Sequence, residues 1–279
     1  MISLIDLKHR IRDVLVEAGI SESESRAESD IITEYVSNLS AAEQVIFDDD
    51  VPEQWLADVE LIIDKRVERM PLQYILERCD FMGLTLAVKK GVFIPRADTE
   101  TVVETALKII FDQKIKKPKI ADIGSGSGAI AVCLAKAIPD AQVYAIEISD
   151  TAFEISKLNA ENHGVANRIE FIRGDWRGAL PNDLNMVVSN PPYIAEGEML
   201  ELQVLNYEPR SALYAGPTGL EVYERLIPQA RRVLKPKGWL MLEIGYGQST
   251  ALSRLLSDWN EVSFLNDLQG IPRVVQAKA

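Results

Sequence analysis

The run Asn190-Pro191-Pro192-Tyr193 is the part of the sequence whose residue types best fit a particular chemistry. A planar –NH₂ group is a weak nucleophile because its lone pair is delocalised. Two acceptors directed at its hydrogens, the Asn190 side-chain oxygen and the Pro191 carbonyl, localise that lone pair, while Tyr193 covers the planar face. The run therefore predicts methyl transfer to such a nitrogen, with Asn190, Pro191 and Tyr193 catalytic and Asn190, Pro191, Pro192 and Tyr193 binding the substrate.

A surface turn is the competing interpretation of this run, because Asn-Pro commonly begins turns. The run follows Val187-Val188-Ser189, however, which has the composition of a strand. Ligands bind at the carboxyl ends of strands in open α/β sheets. Two consecutive prolines also stiffen the loop, so its groups are held in place before a substrate arrives. This context favours a site.

A glycine-rich turn lies about 60 residues earlier, directly after a β-branched strand and before a helix. It comprises Gly124, Ser125, Gly126, Ser127 and Gly128. Glycines allow a tight turn and a close approach to a ligand, and exposed N–H groups at the helix start can meet a polar or anionic group. Gly124, Gly126 and Ala129 also satisfy the dinucleotide pattern G-x-G-x-x-A. The G-x-G-x-G form favours S-adenosylmethionine, and the turn alone leaves both cofactors open.

Two further positions fit a nucleoside cofactor. Glu147 lies at the end of the next predicted strand, directly after Ile146, where a carboxylate can accept both ribose hydroxyls. Asp175-Trp176 follows the third strand, where the carboxylate can accept from an adenine amino group and the indole can cover the ring. A plain turn is an equally good interpretation of Gly174-Asp175.

Charge and composition exclude other classes of protein. Residues 1–75 hold 17 of the 42 acidic residues and only 7 of the 30 basic ones, which disfavours binding of a phosphate backbone there. With two cysteines and two histidines, we expect no metal site and no disulfide framework. We find no apolar run of membrane-spanning length and no signal peptide pattern, and therefore expect a cytoplasmic protein with no membrane partner.

The hydrophobic periodicity divides the chain. Residues 1–75 show helical spacing, with capping patterns at Ser21/Glu24 and Ser40/Glu43. Short β-like runs over Leu84–Val88 and Val92–Ile94 suggest a hairpin. Strands and helices then alternate, which predicts an α/β fold with an open, mostly parallel sheet. The predicted strands are Lys119–Ile123, Gln142–Ile146, Glu170–Ile172, Met186–Ser189, Trp239–Ile244, Val262–Leu265 and Arg273–Ala277. The predicted helices are Ala129–Ala137, Ala152–His163, Leu220–Leu234 and Gln248–Ser257.

The chain resembles the HemK-type peptide chain release factor glutamine methyltransferases over nearly its whole length. The resemblance rests on the glycine turn, the Asn190–Tyr193 run and four other segments. These are Arg69-Met-Pro71-Leu-Gln73-Tyr74-Ile75, Phe93-Ile-Pro95-Arg96-Ala-Asp98-Thr99-Glu100, Glu208-Pro209-Arg-Ser-Ala212-Leu213 and Gly270-Ile-Pro-Arg273-Val274-Val275. Three positions depart from the family pattern: Glu147 replaces the usual Asp, Ala97 a proline, and Ser125 a Thr or Cys.

The resemblance implies a Rossmann-like, seven-stranded class I methyltransferase sheet with an N-terminal all-helical domain. It implies release-factor docking by residues 1–75, a linker and hairpin over 76–97, and the methyltransferase domain over 98–279. The implied activity is S-adenosylmethionine-dependent methylation of the glutamine amide nitrogen in a release factor's Gly-Gly-Gln motif, giving S-adenosylhomocysteine. Carried over by position, the cofactor would contact Gly124–Gly128, Glu147, Trp176, Phe93 and Arg96, and also Asn190 of the substrate-binding run.

Three other functions remain open from the residues. A nucleic-acid amino-methyltransferase uses the same Asn-Pro-Pro-Tyr loop, but the chain lacks a basic recognition domain. In a nicotinamide-dependent enzyme the Asn190–Tyr193 loop would have no obvious role. A non-enzymatic binding protein would not need the loop to be intact. We therefore expect a monomeric enzyme that acts on release factors, with no direct nucleic-acid partner.

Overall fold

A computed structural model describes residues 2–267 and 269–279. The chain forms two compact units. One comprises residues up to Glu77 together with Glu201–Tyr207, and the other comprises Arg78–Leu200 and Glu208–Ala279. The first unit thus includes a short segment that lies far along the chain from the linear boundary expected at residue 75.

The first unit is helical. Its helices are α1 (Leu4–Glu17), α2 (Glu22–Ser37), α3 (Ala41–Ile46), α4 (Glu53–Val67), α5 (Leu72–Leu76) and, from the later segment, α10 (Leu202–Tyr207). Ser21 accepts from the Glu24 N–H at the start of α2, and Ser40 forms a reciprocal capping box with Glu43 at α3. Apolar side chains of α1, α2 and α4 form the core, and the guanidinium of buried Arg66 pairs with Glu24 and Glu28.

The second unit contains eleven strands among its described residues. They are β1 (Arg78–Phe81), β2 (Leu84–Ala87), β3 (Lys119–Ile123), β4 (Gln142–Glu147), β5 (Ile169–Arg173), β6 (Leu184–Ser189), β7 (Ile194–Ala195), β8 (Tyr214–Gly216), β9 (Leu234–Glu243), β10 (Asn260–Asn266) and β11 (Pro272–Lys278). Its helices are α6 (Ala97–Asp112), α7 (Ala129–Ala137), α8 (Asp150–Asn162), α9 (Trp176–Ala179), α11 (Arg210–Leu213), α12 (Glu221–Val233) and α13 (Ser249–Leu255).

Seven strands form the central sheet, in the order β10-β11-β9-β6-β3-β4-β5. The five strands from β9 to β5 run parallel, and β11 is antiparallel to both of its neighbours. Buried clusters lie on both faces, one including residues of α6 and α7 and the other residues of α12 and α13. The predicted fold class, an open and mostly parallel sheet of seven strands with an N-terminal helical region, is confirmed.

The strand order places a crevice at the carboxyl ends of the parallel strands. From β3 the chain crosses to β4 and β5, and then returns to the other side of β3 to form β6. Such a reversal is where open α/β sheets bind ligands. The segments that follow β3, β4, β5, β6 and β9 therefore meet at one edge.

The predicted hairpin was wrong in its pairing. The two strands that pair are Arg78–Phe81 and Leu84–Ala87, joined by Met82-Gly83. Both turn residues have positive φ, 50° for Met82 and 71° for Gly83, as a tight two-residue hairpin requires. Methionine seldom adopts a positive φ, and Met82-Gly83 is not one of the Asn-Gly or Asp-Gly pairs that mark such a turn in a sequence.

No helix in the described ranges is both long and apolar enough to cross a membrane.

Candidate active site

A cavity of about 260 Å³ lies at the carboxyl edge of the central sheet. Its walls include residues after β3, β4, β5 and β6, together with residues of α11 and α12. The predicted site residues on these walls are Phe93, Gly124, Ser125, Gly126, Ser127, Glu147, Asp175, Trp176, Asn190 and Pro192. The structure thus brings together residues from five separate stretches of the chain.

The glycine turn is shaped by backbone conformations that favour glycine. The φ angles of Gly124, Gly126 and Gly128 are 70°, 57° and 82°. Gly128 does not line the cavity. A Cβ atom at Gly128 would lie 2.4 Å from the Ser156 hydroxyl oxygen, so glycine here allows α7 to pack against α8. The turn leads directly into α7, whose first residue, Ala129, lines the cavity.

Two buried polar groups beside the turn lack a hydrogen-bond partner among the described residues. The Ser125 hydroxyl lies on the cavity wall, and Asp122 Oδ1 lies at the end of β3. Asp122 Oδ2 accepts from the Ala131 N–H at 3.0 Å, and burial raises the pKa of this carboxyl to about 7. Buried polar atoms are normally paired, so the unpaired Ser125 hydroxyl fits a ligand with polar atoms.

Glu147 is held by backbone donors. Its Oε2 accepts from the Gly126 N–H at 2.8 Å and its Oε1 accepts from the Ser149 N–H at 2.7 Å. The side chain is 8% exposed and lines the cavity. A carboxylate offers about four acceptor positions, so each oxygen retains capacity for another donor. The extra methylene relative to aspartate thus leaves the group able to bind a pair of hydroxyls.

Asn190 is oriented by a chain of side chains. Its Nδ2 donates to Thr99 Oγ1 at 3.0 Å, and the Thr99 hydroxyl donates to Glu243 Oε2 at 2.6 Å. Tyr193 OH donates to the other Glu243 oxygen at 3.4 Å. Glu243 is 2% exposed, and burial raises the pKa of its carboxyl to about 7. Both Asn190 and Thr99 line the cavity.

Sequence reasoning did not single out Thr99 or Glu243 as site residues. One signal was present for each. Glu243 is the one acidic residue within the predicted apolar strand Trp239–Ile244, and it ends β9, next to the strand that precedes Asn190. Thr99 lies at the start of α6, within the segment Phe93–Glu100 that carries part of the family resemblance. An acidic residue at the carboxyl end of a buried parallel strand is the feature that points to a site.

Tyr193 lies behind the cavity wall and contacts the segment after β9. A Cβ atom at Gly245 would lie 2.9 Å from the Tyr193 ring, so the ring packs directly on that glycine. Gln248 Nε2 donates to the carbonyls of Tyr193 and Gly219, and its Oε1 accepts from the Gly245 N–H. The Gln248 amide therefore joins the segments after β6, β8 and β9. Pro191 is buried and does not line the cavity either.

Arg96 lies one layer outside the cavity. Its guanidinium stacks over the Phe93 ring, with 5.2 Å to the ring centroid, and pairs with the buried carboxylate of Glu208. Glu208 also accepts from the Ile94 N–H at 3.4 Å. Arg96 thus supports Phe93, which does line the cavity, and links it to the segment that begins α11.

A further part of the wall was not predicted. It is formed by α11 and α12 and their flanking residues, including Pro209, Ser211, Ala212, Val222 and Arg225. Helix α11 has only four residues and gives no periodic signal in the sequence. Trp176, half-buried at the start of α9, lines the same cavity.

Comparisons with known proteins agree with this geometry. Residues 6–76 match the family described as PrmC N-terminal domain, and residues 84–206 match the family described as Methyltransferase small domain. A release factor glutamine methyltransferase from Geobacter sulfurreducens is 40% identical over 236 residues, which is 83% of this chain and 81% of that protein. The chain belongs to the release factor glutamine methyltransferase family.

Other members of the release factor glutamine methyltransferase family show similar agreement. The one from Clostridium acetobutylicum is 39% identical and the one from Coxiella burnetii is 38% identical, each over 77% of this chain. The alignments cover 77% and 78% of those two proteins. The match therefore spans most of both chains in each case.

Solved structures with the same fold are more distant. The hMettl16 catalytic domain, solved in complex with MAT2A 3'UTR hairpin 6, has a TM-score of 0.56 at 17% identity and covers 77% of this chain and 81% of that one. A T. thermophilus 16S rRNA N2 methyltransferase (RsmC), solved with AdoMet and guanosine, has a TM-score of 0.55 at 17% identity, covering 72% and 49%. At this identity the likeness shows the methyltransferase fold alone.

Proposed function

We propose that this protein transfers a methyl group from S-adenosylmethionine to the side-chain amide nitrogen of the glutamine in the Gly-Gly-Gln motif of peptide chain release factors. The observation that carries the proposal is the Asn190 amide, which follows β6, lines the cavity and turns its nitrogen toward Thr99. Its oxygen is then the atom available to a substrate –NH₂ group. Membership in the family supports glutamine as the acceptor.

The cavity fits the cofactor. Glu147 would accept from the ribose hydroxyls, Asp175 and Trp176 would hold the adenine, and the glycine turn with its unpaired Ser125 hydroxyl would meet the methionine part. When bound, S-adenosylmethionine supplies an electrophilic methyl group. Phe93 would complete the wall, supported by Arg96.

The protein's own contribution to the reaction is positioning. The Asn190 side-chain oxygen and the Pro191 carbonyl would accept from the two hydrogens of the glutamine amide, which localises its nitrogen lone pair. Pro192 would line the surrounding pocket, and Tyr193 would support it from behind the wall. The newly methylated nitrogen carries a positive charge and is acidic. Water can therefore remove one of its protons, and no strong base is required. Alignment and electrostatics then provide the rate enhancement.

We propose that the first unit, which contains residues 1–75, docks the release factor. The proposal is supported by a groove of about 610 Å³ whose walls include Asp48, Asp49 and Asp50 beside the exposed apolar side chains of Ile5 and Val45. Such a surface suits a basic, amphipathic protein segment better than nucleic acid. We further propose that the protein acts as a monomer, in the cytoplasm, without direct nucleic-acid contact.

The docking proposal is tested with the full chain by changing Asp48, Asp49 and Asp50 together to asparagine. The expected result is a higher KM for intact release factor and an unchanged KM for a short Gly-Gly-Gln peptide. The matched control changes three exposed acids of the second unit, Glu154, Glu161 and Glu170, to glutamine. Equal effects of the two triple variants would contradict docking by this groove.

The proposed activity is tested by incubating the protein with release factor and labelled S-adenosylmethionine, followed by mass spectrometry of the Gly-Gly-Gln peptide. We expect one added methyl group on the glutamine side chain. A release factor whose Gly-Gly-Gln glutamine is replaced by glutamate provides the control, since it lacks the acceptor nitrogen. Label on another residue, on RNA alone, or nowhere would contradict the proposal.

A further inference from the structure

Three side chains from distant parts of the sequence form one directed hydrogen-bond chain, which runs from the cavity wall to a buried carboxylate behind it. Asn190 Nδ2 lies 3.0 Å from Thr99 Oγ1, which lies 2.6 Å from Glu243 Oε2. Thr99 is 3% exposed and Glu243 2% exposed. The Thr99 and Glu243 part of the chain is thus shielded from water. In such a buried environment each hydrogen bond is stronger, and the loss of a partner costs more free energy.

The chemistry of the three groups fixes the direction of the chain. An ionised carboxylate only accepts, so the Thr99 hydroxyl must donate its single hydrogen to Glu243. The Thr99 oxygen then has only lone pairs left for Asn190. Of the two ends of the Asn190 amide, only the –NH₂ end can donate to them. The oxygen end is therefore turned away from Thr99.

We infer that Thr99 and Glu243 are positioning residues that hold the Asn190 amide with its oxygen available as the acceptor for the substrate nitrogen. The inference rests on the proposed function and extends it by assigning the origin of the Asn190 orientation. An asparagine amide that is free to rotate presents its –NH₂ end part of the time. That end meets the substrate –NH₂ donor to donor, which is unproductive.

Tyr193 is a second member of the same arrangement. Its hydroxyl donates to Glu243 Oε1. One carboxylate therefore holds both ends of the Asn190–Tyr193 run, Tyr193 directly and Asn190 through Thr99. Glu243 thereby links α6, β9 and the loop after β6. A substitution at Glu243 is expected to affect both Asn190 and Tyr193, whereas a substitution at Thr99 affects Asn190 alone.

The charge state of Glu243 determines the direction of the chain. The groups that face it are Asp98 and Thr99 of α6, Tyr193, Arg273 of β11 and Tyr223 of α12, and Arg273 also pairs with Asp98 and Asp267. Burial, assisted by the charge of Asp98, raises the pKa of Glu243 to about 7, although Thr99, Tyr193 and Arg273 oppose the increase. Once protonated, Glu243 can donate to Thr99, whose hydroxyl hydrogen then turns toward Asn190 and favours the flipped amide.

The first test compares Thr99→Val, which keeps the side-chain shape but removes the hydroxyl, with Thr99→Ser, which keeps the hydroxyl. Thr105→Val is the matched control, because Thr105 lies buried on the same helix with its hydroxyl bonded to the Thr101 carbonyl. We expect Thr99→Val to lower kcat for glutamine methylation about 10- to 100-fold. Thr99→Ser should restore most of that loss, and Thr105→Val should leave kcat unchanged.

The Kd for S-adenosylmethionine is measured for the same variants and should change little, which also verifies that each variant is folded. Equal kcat for Thr99→Val and wild type would overturn the inference. So would a loss in cofactor affinity as large as the loss in kcat, since Thr99 would then act on the cofactor. If wild-type protein methylates no glutamine, the proposed function fails. A normal wild-type rate with an unaffected Thr99→Val variant removes only the inference.

The second test uses pH, at saturating cofactor so that titration of Asp122 beside the glycine turn does not enter through binding. Wild-type kcat should fall as the pH decreases below about 7, approaching about tenfold per pH unit. Glu243→Gln removes the titrating group and should flatten this decline between pH 6 and 8. A decline that is identical in wild type and Glu243→Gln would overturn the role of Glu243.

Discussion

Glu147 and Glu243 are both buried carboxylates at the carboxyl edge of the central sheet, yet they are held in different ways. Glu147 accepts from two backbone N–H groups, those of Gly126 and Ser149. Glu243 accepts from two side-chain hydroxyls, those of Thr99 and Tyr193, which lie 144 and 50 residues away in the sequence. The proposed cofactor half of the cavity is therefore built on backbone and the acceptor half on side chains.

This difference has a functional consequence. Backbone donors in a turn stay in place when neighbouring side chains change, so the region around Glu147 should tolerate substitutions of those neighbours. The region around Glu243 depends on two side-chain hydroxyls, one at each carboxylate oxygen. Single substitutions there should therefore disturb the orientation of Asn190 or Tyr193. We expect variants of the acceptor half to lose catalytic rate and variants of the cofactor half to lose cofactor affinity.

The largest effect is expected for Asn190→Ala. Removing the side-chain acceptor should lower kcat for glutamine methylation about 10²- to 10³-fold, as for other preorganised polar groups in active sites. The Kd for S-adenosylmethionine, measured by calorimetry, should change little. Asn182→Ala, at an exposed asparagine, is the control. An equal loss of rate and of cofactor affinity would contradict the division between the two halves.

The next largest effect is expected for Glu147→Ala. The variant loses the proposed ribose acceptor and leaves the N–H groups of Gly126 and Ser149 without their partner, each at a cost of about 1–3 kcal/mol. The Kd for S-adenosylmethionine should rise roughly 10- to 100-fold. At saturating cofactor, kcat should be close to that of wild type. Glu154→Ala, on the exposed face of α8, is the control, and an unchanged Kd for Glu147→Ala would refute the assignment.

A smaller loss is expected for Gln248→Leu. This side chain joins the segments that hold Tyr193, Gly219 and Gly245, and leucine forms none of the three hydrogen bonds. A looser Tyr193 should lower kcat/KM about tenfold, with cofactor affinity retained. Gln142→Leu, at an exposed glutamine of β4, gives the comparison. Loss of cofactor binding in Gln248→Leu would contradict this and would assign Gln248 to the cofactor half of the cavity.

The smallest effect is expected in stability. The pKa of Glu243 is about 7 in the folded protein, above its unfolded value of about 4.5, so this group favours folding at low pH and loses that contribution as the pH rises through 7. Raising the pH from 5 to 8 should therefore shift the unfolding free energy of Glu243→Gln, relative to wild type, upward by on the order of 1 kcal/mol. Urea unfolding at the two pH values measures the shift, and a shift in the opposite direction would contradict it.

The two halves also differ in how far they could be predicted from sequence. The glycine turn and Glu147 follow consecutive strands, and local backbone chemistry defines them. Asn190 was found because its run has an unusual composition. Thr99, Glu243 and Gln248 were missed because their partners lie far along the chain, and only the folded sheet brings them together. Short elements such as α11 and β7 were missed because two to four residues are too few to show a period.

The strands and helices that were predicted over residues 119–277 are all present, because each is long enough to show its period. The hairpin failed because Lys89-Lys90-Gly91 resembles a turn more closely than Met82-Gly83 does, although Met82-Gly83 forms the turn. The Met82 N–H donates to Glu100 Oε1 at 2.7 Å, a contact with α6 that the residue types of the turn do not reveal.

The most direct test of the account measures a single turnover of wild type, Asn190→Ala and Glu147→Ala with release factor, at saturating labelled S-adenosylmethionine. We predict methyl label on the side-chain nitrogen of the Gly-Gly-Gln glutamine with wild type and Glu147→Ala, and almost none with Asn190→Ala although its cofactor is bound. Label on any other atom, or equal transfer by Asn190→Ala and wild type, would show that Asn190 does not present the glutamine amide to the methyl group.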